Sequence, residues 1–385
     1  MSTEPDSGHA STLVTLEMDG NGPAPIGRRL AEWRTRRGIS AAELAVQSSL
    51  PEQVISNLES GRDWVDQHHV LTSLAAGLRL EPTELTGQPY GPSGTDHATV
   101  HATAWHLRRQ LASLASRGAV AIESTESELA AQTEAVRQAE AAGDEHSLAL
   151  ALPTLLDLTT SSAAGGAEAV RAARTTAYVA GAGLLRRLGY RDLAWSVLQQ
   201  AQLADPGEGH ALVEEIRLLV SMGLAEHAII RAEQFRGVRP SIELTCATGL
   251  AHAVARQEEK AARLLEEAAS RAADVPGTTE VAVTRAAFAL ESRSFEELLA
   301  LEVSDSPVAP ATKRAALLLF SAAAWARHGD TGRAAERLAA AEGAAPLYVR
   351  LEPLARELLH VLTARSSTAA SGALLARVAA RFGAQ

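Results

Sequence analysis

Glycine and alanine return as a pair at a fixed interval, and that interval limits what this chain can fold into more than any other feature. Gly189 and Ala194 stand five residues apart, Gly223 and Ala228 repeat them 34 residues later, and a further 34 reaches Gln257 and Ala262. Pro206 and Pro240 keep the same interval, and Gly329, Ala334 and Pro346 reproduce the spacing of Gly189, Ala194 and Pro206. A period of roughly 20–50 residues marks a unit that cannot bury its apolar face alone and must stack on its neighbours. The glycine permits a sharp turn, the alanine lets paired helices approach, and the proline ends the unit. Strand-like alternation occurs nowhere, and aromatic residues make up only 4% of the chain. Both facts favour closely packed helices over sheets. The expected fold class is all-α.

The length of 385 residues is about two and a half times a usual domain of roughly 150 residues, which suits one small domain and one larger repeat-built domain. A hydrophobic fraction of 46% excludes a wholly disordered chain. The single cysteine, Cys246, excludes an internal disulfide framework and a zinc site built on several cysteines. The longest apolar run, Ala315 to Ala326, falls far short of the ~20 residues a membrane helix needs. Met1 to Pro25 carries Glu4, Asp6, Glu17 and Asp19 but no Lys or Arg, so a signal-peptide start is missing. A cytoplasmic protein without a membrane partner is expected. The net charge of −10 argues against non-specific coating of nucleic acid, although it says little about a local patch.

Four segments follow from the pattern: an acidic tail over 1–23 read as disordered, a compact helical module over 24–87, a turn-rich linker over 88–97, and a helical region over 98–385. In the module, Ile26, Leu30 and Trp33 share one helix face, and Gly38 stops that helix in the left-handed cap. Ser40-Ala41-Ala42-Glu43 reads as a capping box that opens a second helix. Pro51 is expected near the first position of a third helix, where its missing N–H costs nothing. Val54, Ile55 and Leu58 form that helix's inner face, leaving Glu52, Gln53, Ser56 and Asn57 outside. Helices over about Val70–Leu78 and Pro82–Leu85 complete a five-helix core.

Two short helices joined by a tight turn, the second polar outside, make a helix-turn-helix. The stretches Ile26-Gly27-Arg28-Arg29-Leu30, Arg34 to Ser40, Glu43-Leu44-Ala45 and Ile55 to Gly61 resemble the phage-repressor or XRE-type DNA-binding family. The resemblance implies that Glu52, Gln53 and Asn57 approach base edges and that Arg34 and Glu59 form an internal ion pair. Ala41 replaces the glutamine frequent in that family, so one DNA contact is missing. Gln53 and Asn57 suit bidentate bonds to adenine, and Glu52 either accepts from a cytosine amine or repels phosphate. Arg28, Arg29, Arg36, Arg37 and Arg62 are candidate phosphate contacts. From Ala24 to Tyr90, seven arginines face eight acids, a net of −1. One such module should bind double-stranded DNA weakly, so a homodimer is expected.

Tyr178, Ala182, Leu185, Gly189, Ala194, Leu198, Ala201 and Pro206 match the tetratricopeptide pattern position by position, and the repeats resemble that family. The two motifs together resemble actinobacterial XRE-type regulators with a tetratricopeptide-like C-terminal region, and in architecture the peptide-responsive RRNPP regulators. That resemblance implies a superhelix whose first helices line a concave face, with groove positions on Thr176, Val179, Gly183, Arg186 and Arg187, then on His210, Val213, Arg217, Val220 and Ser221. Arg186, Arg187 and Arg217 would hold the carboxylate of a small ligand or peptide, or else pair with Glu214 and Glu215. Turns at Gly143-Asp144 and Ser294 to Leu298, with an insertion around Ala163 to Gly166, suggest less regular units. His68-His69 and His101 with His106 read as surface or helix-face residues, since HExxH spacing is missing, and Trp105, Trp195 and Trp325 read as core. No cofactor, metal or enzymatic activity is expected. The alternative reading is an interaction scaffold with a vestigial helix-turn-helix.

Overall fold

The computed structural model describes residues 22–116, 125–161, 167–204, 209–235, 239–300, 310–366 and 368–383. The expected tail over 1–21, Pro206 and the insertion at 163–166 lie outside these. Among the described residues the chain is helical throughout, with no strand. The first five helices are α1 (Pro25–Arg36), α2 (Ala41–Ser48), α3 (Glu52–Glu59), α4 (His68–Gly77) and α5 (Pro82–Thr86). They enclose a core of Leu30, Leu44, Ile55, Leu74, Leu78 and Leu85, each fully buried. The capping box forms: the Glu43 amide donates to Ser40 Oγ at 3.1 Å, and the Ser40 amide donates to Glu43 Oε2 at 2.6 Å. Arg34 clasps Glu59 with two bonds of 2.7 and 2.8 Å, tying the end of α1 to the end of α3. At Gly27 an added Cβ would stand 2.3 Å from the Leu58 carbonyl oxygen, so α1 and α3 touch backbone to backbone there. Pro51 sits one position earlier than expected, as the N-cap of α3.

A long helix, α6 (Thr95–Ser116), leads into paired helices. These are α7 (Glu126–Ala142) with α8 (Glu145–Ser161), α9 (Ala167–Leu188) with α10 (Arg191–Ala204), and α11 (Gly209–Ser221) with α12 (Ala225–Glu233). Three more follow: α13 (Ile242–Val254) with α14 (Glu258–Arg271), α15 (Val275–Glu291) with α16 (Phe295–Leu299), and α17 (Ala311–His328) with α18 (Thr331–Ala344). The chain ends in α19 (Pro346–Leu351), α20 (Pro353–Arg365) and α21 (Ala369–Phe382). The alanine five residues after each turn does what the period requires: Ala194, Ala228 and Ala334 are fully buried between paired helices. In the third unit the register is one residue shorter than expected. Arg256, not Gln257, takes the left-handed turn position, and Ala261, not Ala262, is fully buried.

A superhelix lined by first helices was the expectation, and the structure adds that the coil closes on itself. The first helices of successive pairs, α7, α9, α11, α13, α15 and α17, pack each on the next, and α17 returns to pack against α7. Helix α19 then lies across α8 and α9, closing the seam. Closure depends on the turn after α7. Gly143 has φ 68°, and a Cβ there would lie 2.5 Å from Thr312 Cγ2 and 2.9 Å from the Thr312 amide nitrogen at the start of α17. Trp105 is a second correction: it is 57% exposed on α6, with the Arg109 guanidinium over its ring, because this face of α6 has no neighbour among the described residues.

Gly143→Ala would meet both the left-handed backbone and the Thr312 collision. We expect a loss of about 1–3 kcal/mol in urea unfolding of the full chain, with Gly343→Ala, where an added Cβ meets nothing within 4 Å, as the near-neutral control.

Candidate nucleic-acid interface and the chamber behind it

The outer face of α3 is open. Glu52 and Gln53 are exposed, Ser56 and Asn57 partly so, and Ile55 and Leu58 anchor the helix from behind. Gln53 Nε2 donates to Asn57 Oδ1 at 2.7 Å, one turn apart on that face. The bond orients both amides yet leaves one N–H on Gln53 and both on Asn57 for an outside acceptor. The five arginines are used unequally. Arg36 lies 5.5 Å over the Trp33 ring and 3.9 Å from Glu32, still well exposed. Arg37 reaches the Arg79 carbonyl at 3.3 Å, and Arg62 reaches Ser60 Oγ at 2.9 Å, both at the surface. Arg28 is half-buried. Arg29 is turned inward: it donates to the Thr86 carbonyl at 3.3 Å and crosses over Gly87, where an added Cβ would lie 2.2 Å from its Nη2.

The opposite side of the same module is seated on the repeat ring, and the turns of the repeats form the seat. Gly189 would collide with Gln88 Cβ at 2.5 Å if it carried a side chain, and at Gly223 an added Cβ would stand 3.3 Å from Thr72 Cβ. At the third turn Arg256 approaches His69 Nε2 at 3.4 Å. At the fourth, Arg293 Nε donates to Gln67 Oε1 at 3.0 Å, and Gln67 Nε2 donates to the Glu291 carbonyl at 2.7 Å. Near the fifth, Arg327 bonds Asp66 Oδ2 at 2.6 Å, the Trp64 carbonyl at 2.7 Å and Asp63, and lies 4.4 Å over the Trp64 ring. Burial works against the Arg327 charge, but the two aspartates outweigh it and hold its pKa above the ordinary value.

Only α2 has a side-chain cap of its own, and at two of the other four helices of the module the ring takes over the role. Ala24 precedes α1 and Gln67 precedes α4, and neither side chain bonds the first turn. The ring supplies the missing acceptors. Glu357 on α20 accepts from the Ile26 amide at 2.7 Å. Glu291 at the end of α15 accepts from the His68 amide and from the His69 amide at 3.2 Å. A carboxylate at a helix N-terminus satisfies orphan donors and meets the positive end of the dipole. His68 and His69, expected at the surface, are therefore part of the seam: His68 Nε2 donates to the Val220 carbonyl at 2.9 Å, and His69 Nδ1 donates to Glu291 Oε2 at 2.9 Å. The linker is clamped as well. Gln88 bonds the Arg187 and Leu351 carbonyls at 2.9 and 3.1 Å, and Arg356 lies 3.7 Å over the Tyr90 ring.

Behind the seam the ring encloses a cavity of about 630 Å³. Nine of the ten groove positions line it: Val179, Gly183, Arg186, Arg187, His210, Val213, Arg217, Val220 and Ser221. Thr176, about one turn earlier on α9, does not reach it. Ile26, Val65, Asp66, Gln67, His68 and Leu71 of the helix-turn-helix module, with Gln88 of the linker, complete the wall. The arginines are not free to receive a carboxylate. Arg186 bonds Glu214 at 2.6 Å, Arg217 bonds Glu280 at 2.7 Å, and Arg187 lies 3.6 Å from Glu145. Glu215 points elsewhere and is held by Arg231 at 2.7 Å.

Residues 25–86 match the sequence profile of a family described as a helix-turn-helix domain. Comparison with curated proteins and with solved structures returns no match. No described helix is long and apolar enough to cross a membrane.

Two outcomes check the seam. Arg327→Met leaves Asp66, only 8% exposed, without its partner, and we expect a loss of about 3–5 kcal/mol, read as faster amide hydrogen exchange over 60–69 and a lower melting temperature. Burial pushes the Glu357 carboxyl from 4.5 up to about 7, against the opposing Ile26 amide. The folded chain therefore holds a proton that the unfolded chain has lost, and stability falls as pH rises from about 4.5 to about 7. Glu357→Gln should flatten that slope by as much as about 3 kcal/mol, measured by urea unfolding across this range.

Proposed function

We propose that this chain is a sequence-reading DNA-binding transcriptional regulator of XRE type. The single observation that carries the reading is the exposed face of α3, where Gln53 and Asn57 are held ready by their own hydrogen bond on a module matched as a helix-turn-helix. Exposed Arg36, Arg37 and Arg62 are placed to touch flanking phosphates, whereas Arg29 serves the interior of the module. With a net charge of −1 over the module, one copy holds DNA weakly. A homodimer that sets two α3 helices about 34 Å apart would supply the missing affinity.

The tetratricopeptide-like ring is the sensor in this reading. Its chamber is walled partly by the module itself, so a small molecule or peptide bound there touches the α3–α4 segment directly. Such a ligand shifts the module only if it binds the seated and released states with different affinity. That requirement is met in principle, because six residues of the wall leave with the module when it moves.

The test is a selection of bound sequences from a random DNA pool, followed by titration of the selected site. Gln53→Ala with Asn57→Ala should lose sequence preference by about 1–3 kcal/mol for each residue, with circular dichroism and melting temperature unchanged. Unchanged preference would reject base reading by α3 and leave an interaction scaffold as the function.

A further inference from the structure

The chamber's charge specifies what it accepts. Among the described residues its wall holds nine Asp or Glu against five Arg or Lys, with two histidines in addition. All but one of the cations are answered within the chamber: Arg186 by Glu214, Arg187 by Glu145, and Arg217 and Lys313 together by Glu280. The carboxylates of Glu140, Glu243 and Glu352 have no ion pair or hydrogen bond among the described residues, and all three face the cavity. The remaining cation is Arg191. It is only 5% exposed and lines the chamber, and it is paired outside the chamber with Glu81, whose Oε1 stands 3.6 Å from Nη1, while its Nε and Nη1 have no hydrogen-bond partner. Between these groups the wall is apolar, with Val213, Leu250, Val254, Val283, Leu319 and Phe320.

A cavity of about 630 Å³ lies within the roughly 300–1,000 Å³ range of small-molecule sites, which pair an apolar lining with a few placed polar groups. Unanswered carboxylates in such a wall attract a cation and repel a second carboxylate, because both effects strengthen away from bulk water. A buried guanidinium with two idle donors needs an acceptor oxygen. We infer that the chamber binds an amphipathic amine: a protonated nitrogen drawn to the acidic lining that includes Glu140, Glu243 and Glu352, an apolar body against the valine and leucine wall, and an acceptor oxygen turned to Arg191. This rests on the chamber being the ligand site of the proposed regulator, and it reverses the carboxylate expected from Arg186, Arg187 and Arg217.

The probe is dansylcadaverine, an amine on an apolar fluorophore with sulfonyl oxygens, set against dansyl-6-aminohexanoate, which ends in a carboxylate. Fluorescence titration of the full chain should show saturable binding of the amine at least about tenfold tighter than the carboxylate. E140Q/E243Q/E352Q should weaken the amine by about tenfold or more. If that triple variant does not fold, Glu140→Gln alone, at an exposed position, should still weaken it by about threefold. Equal or tighter binding of the carboxylate overturns the inference, as does amine binding insensitive to these substitutions. So does the lack of saturable amine binding up to about 1 mM. Amine binding that leaves DNA affinity unchanged would support the ligand class while removing the coupling to DNA.

Discussion

The module that faces DNA is completed by another part of the chain. A helix of eight to twelve residues needs its first amides answered, and a good N-cap is worth about 0.5–2 kcal/mol. Helix α2 answers them locally through Ser40 and Glu43. Helices α1 and α4 do not, and Glu357 and Glu291 reach across from the ring to do so. Two consequences follow. The module is least costly when seated, so its position relative to the ring is a thermodynamic preference and more than a tether. One acceptor, Glu357, is also buried in the seam, so the preference depends on its protonation: burial raises its carboxyl to about 7, against the backbone amides of Ile26 and Val65.

The repeat period explains why the seat exists. Each helical hairpin places its turn on the same rim of the ring, so a regular sequence produces a regular row of turns. Where the module or its linker packs closely on the turn, the turn is glycine: Gly189 beneath Gln88 and Gly223 beside Thr72. Where the module offers polar groups, the turn region carries arginine: Arg256 beside His69, Arg293 on Gln67, Arg327 on Asp63 and Asp66. At the third and fourth turns, where Arg256 and Arg293 hold the left-handed position that Gly329 holds again at the fifth, the departure from glycine therefore accompanies a second duty of the turn.

The amino-acid order made the helices legible because helix period, caps and breakers are local. Ser40 with Glu43, Gly38, and the pairing of Arg34 with Glu59 all formed as read. Nine of the groove positions implied by the tetratricopeptide resemblance line the cavity, since a repeat register carries a facing with it. Closure of the ring was not legible, because it turns on the meeting of Gly143 with Thr312, residues of the first and last units. The pairing of Arg186 and Arg217 with acids was open in the sequence and needed coordinates to decide. One signal was present and passed over: Ala24 and Gln67 are poor caps in front of confident helices. A helix start with no Ser, Thr, Asp or Asn asks where its acceptor comes from, and here the answer was 220 to 330 residues away.

The chamber and the DNA face are back to back on one small module. Residues 65–68 leave α3 through a short loop, line the chamber, and carry the bonds to Arg327, Arg293 and Glu291. An occupant that presses on this segment competes with the same ion pairs that hold the module down. Single surface pairs are worth little, but these are buried and share partners, so weakening one leaves the next with an unanswered charge. The seam therefore tends toward two states, seated with its network whole or released with it broken, and intermediate positions are disfavoured. In the proposed regulator, such bistability would turn a modest difference in ligand affinity into a change in where α3 points.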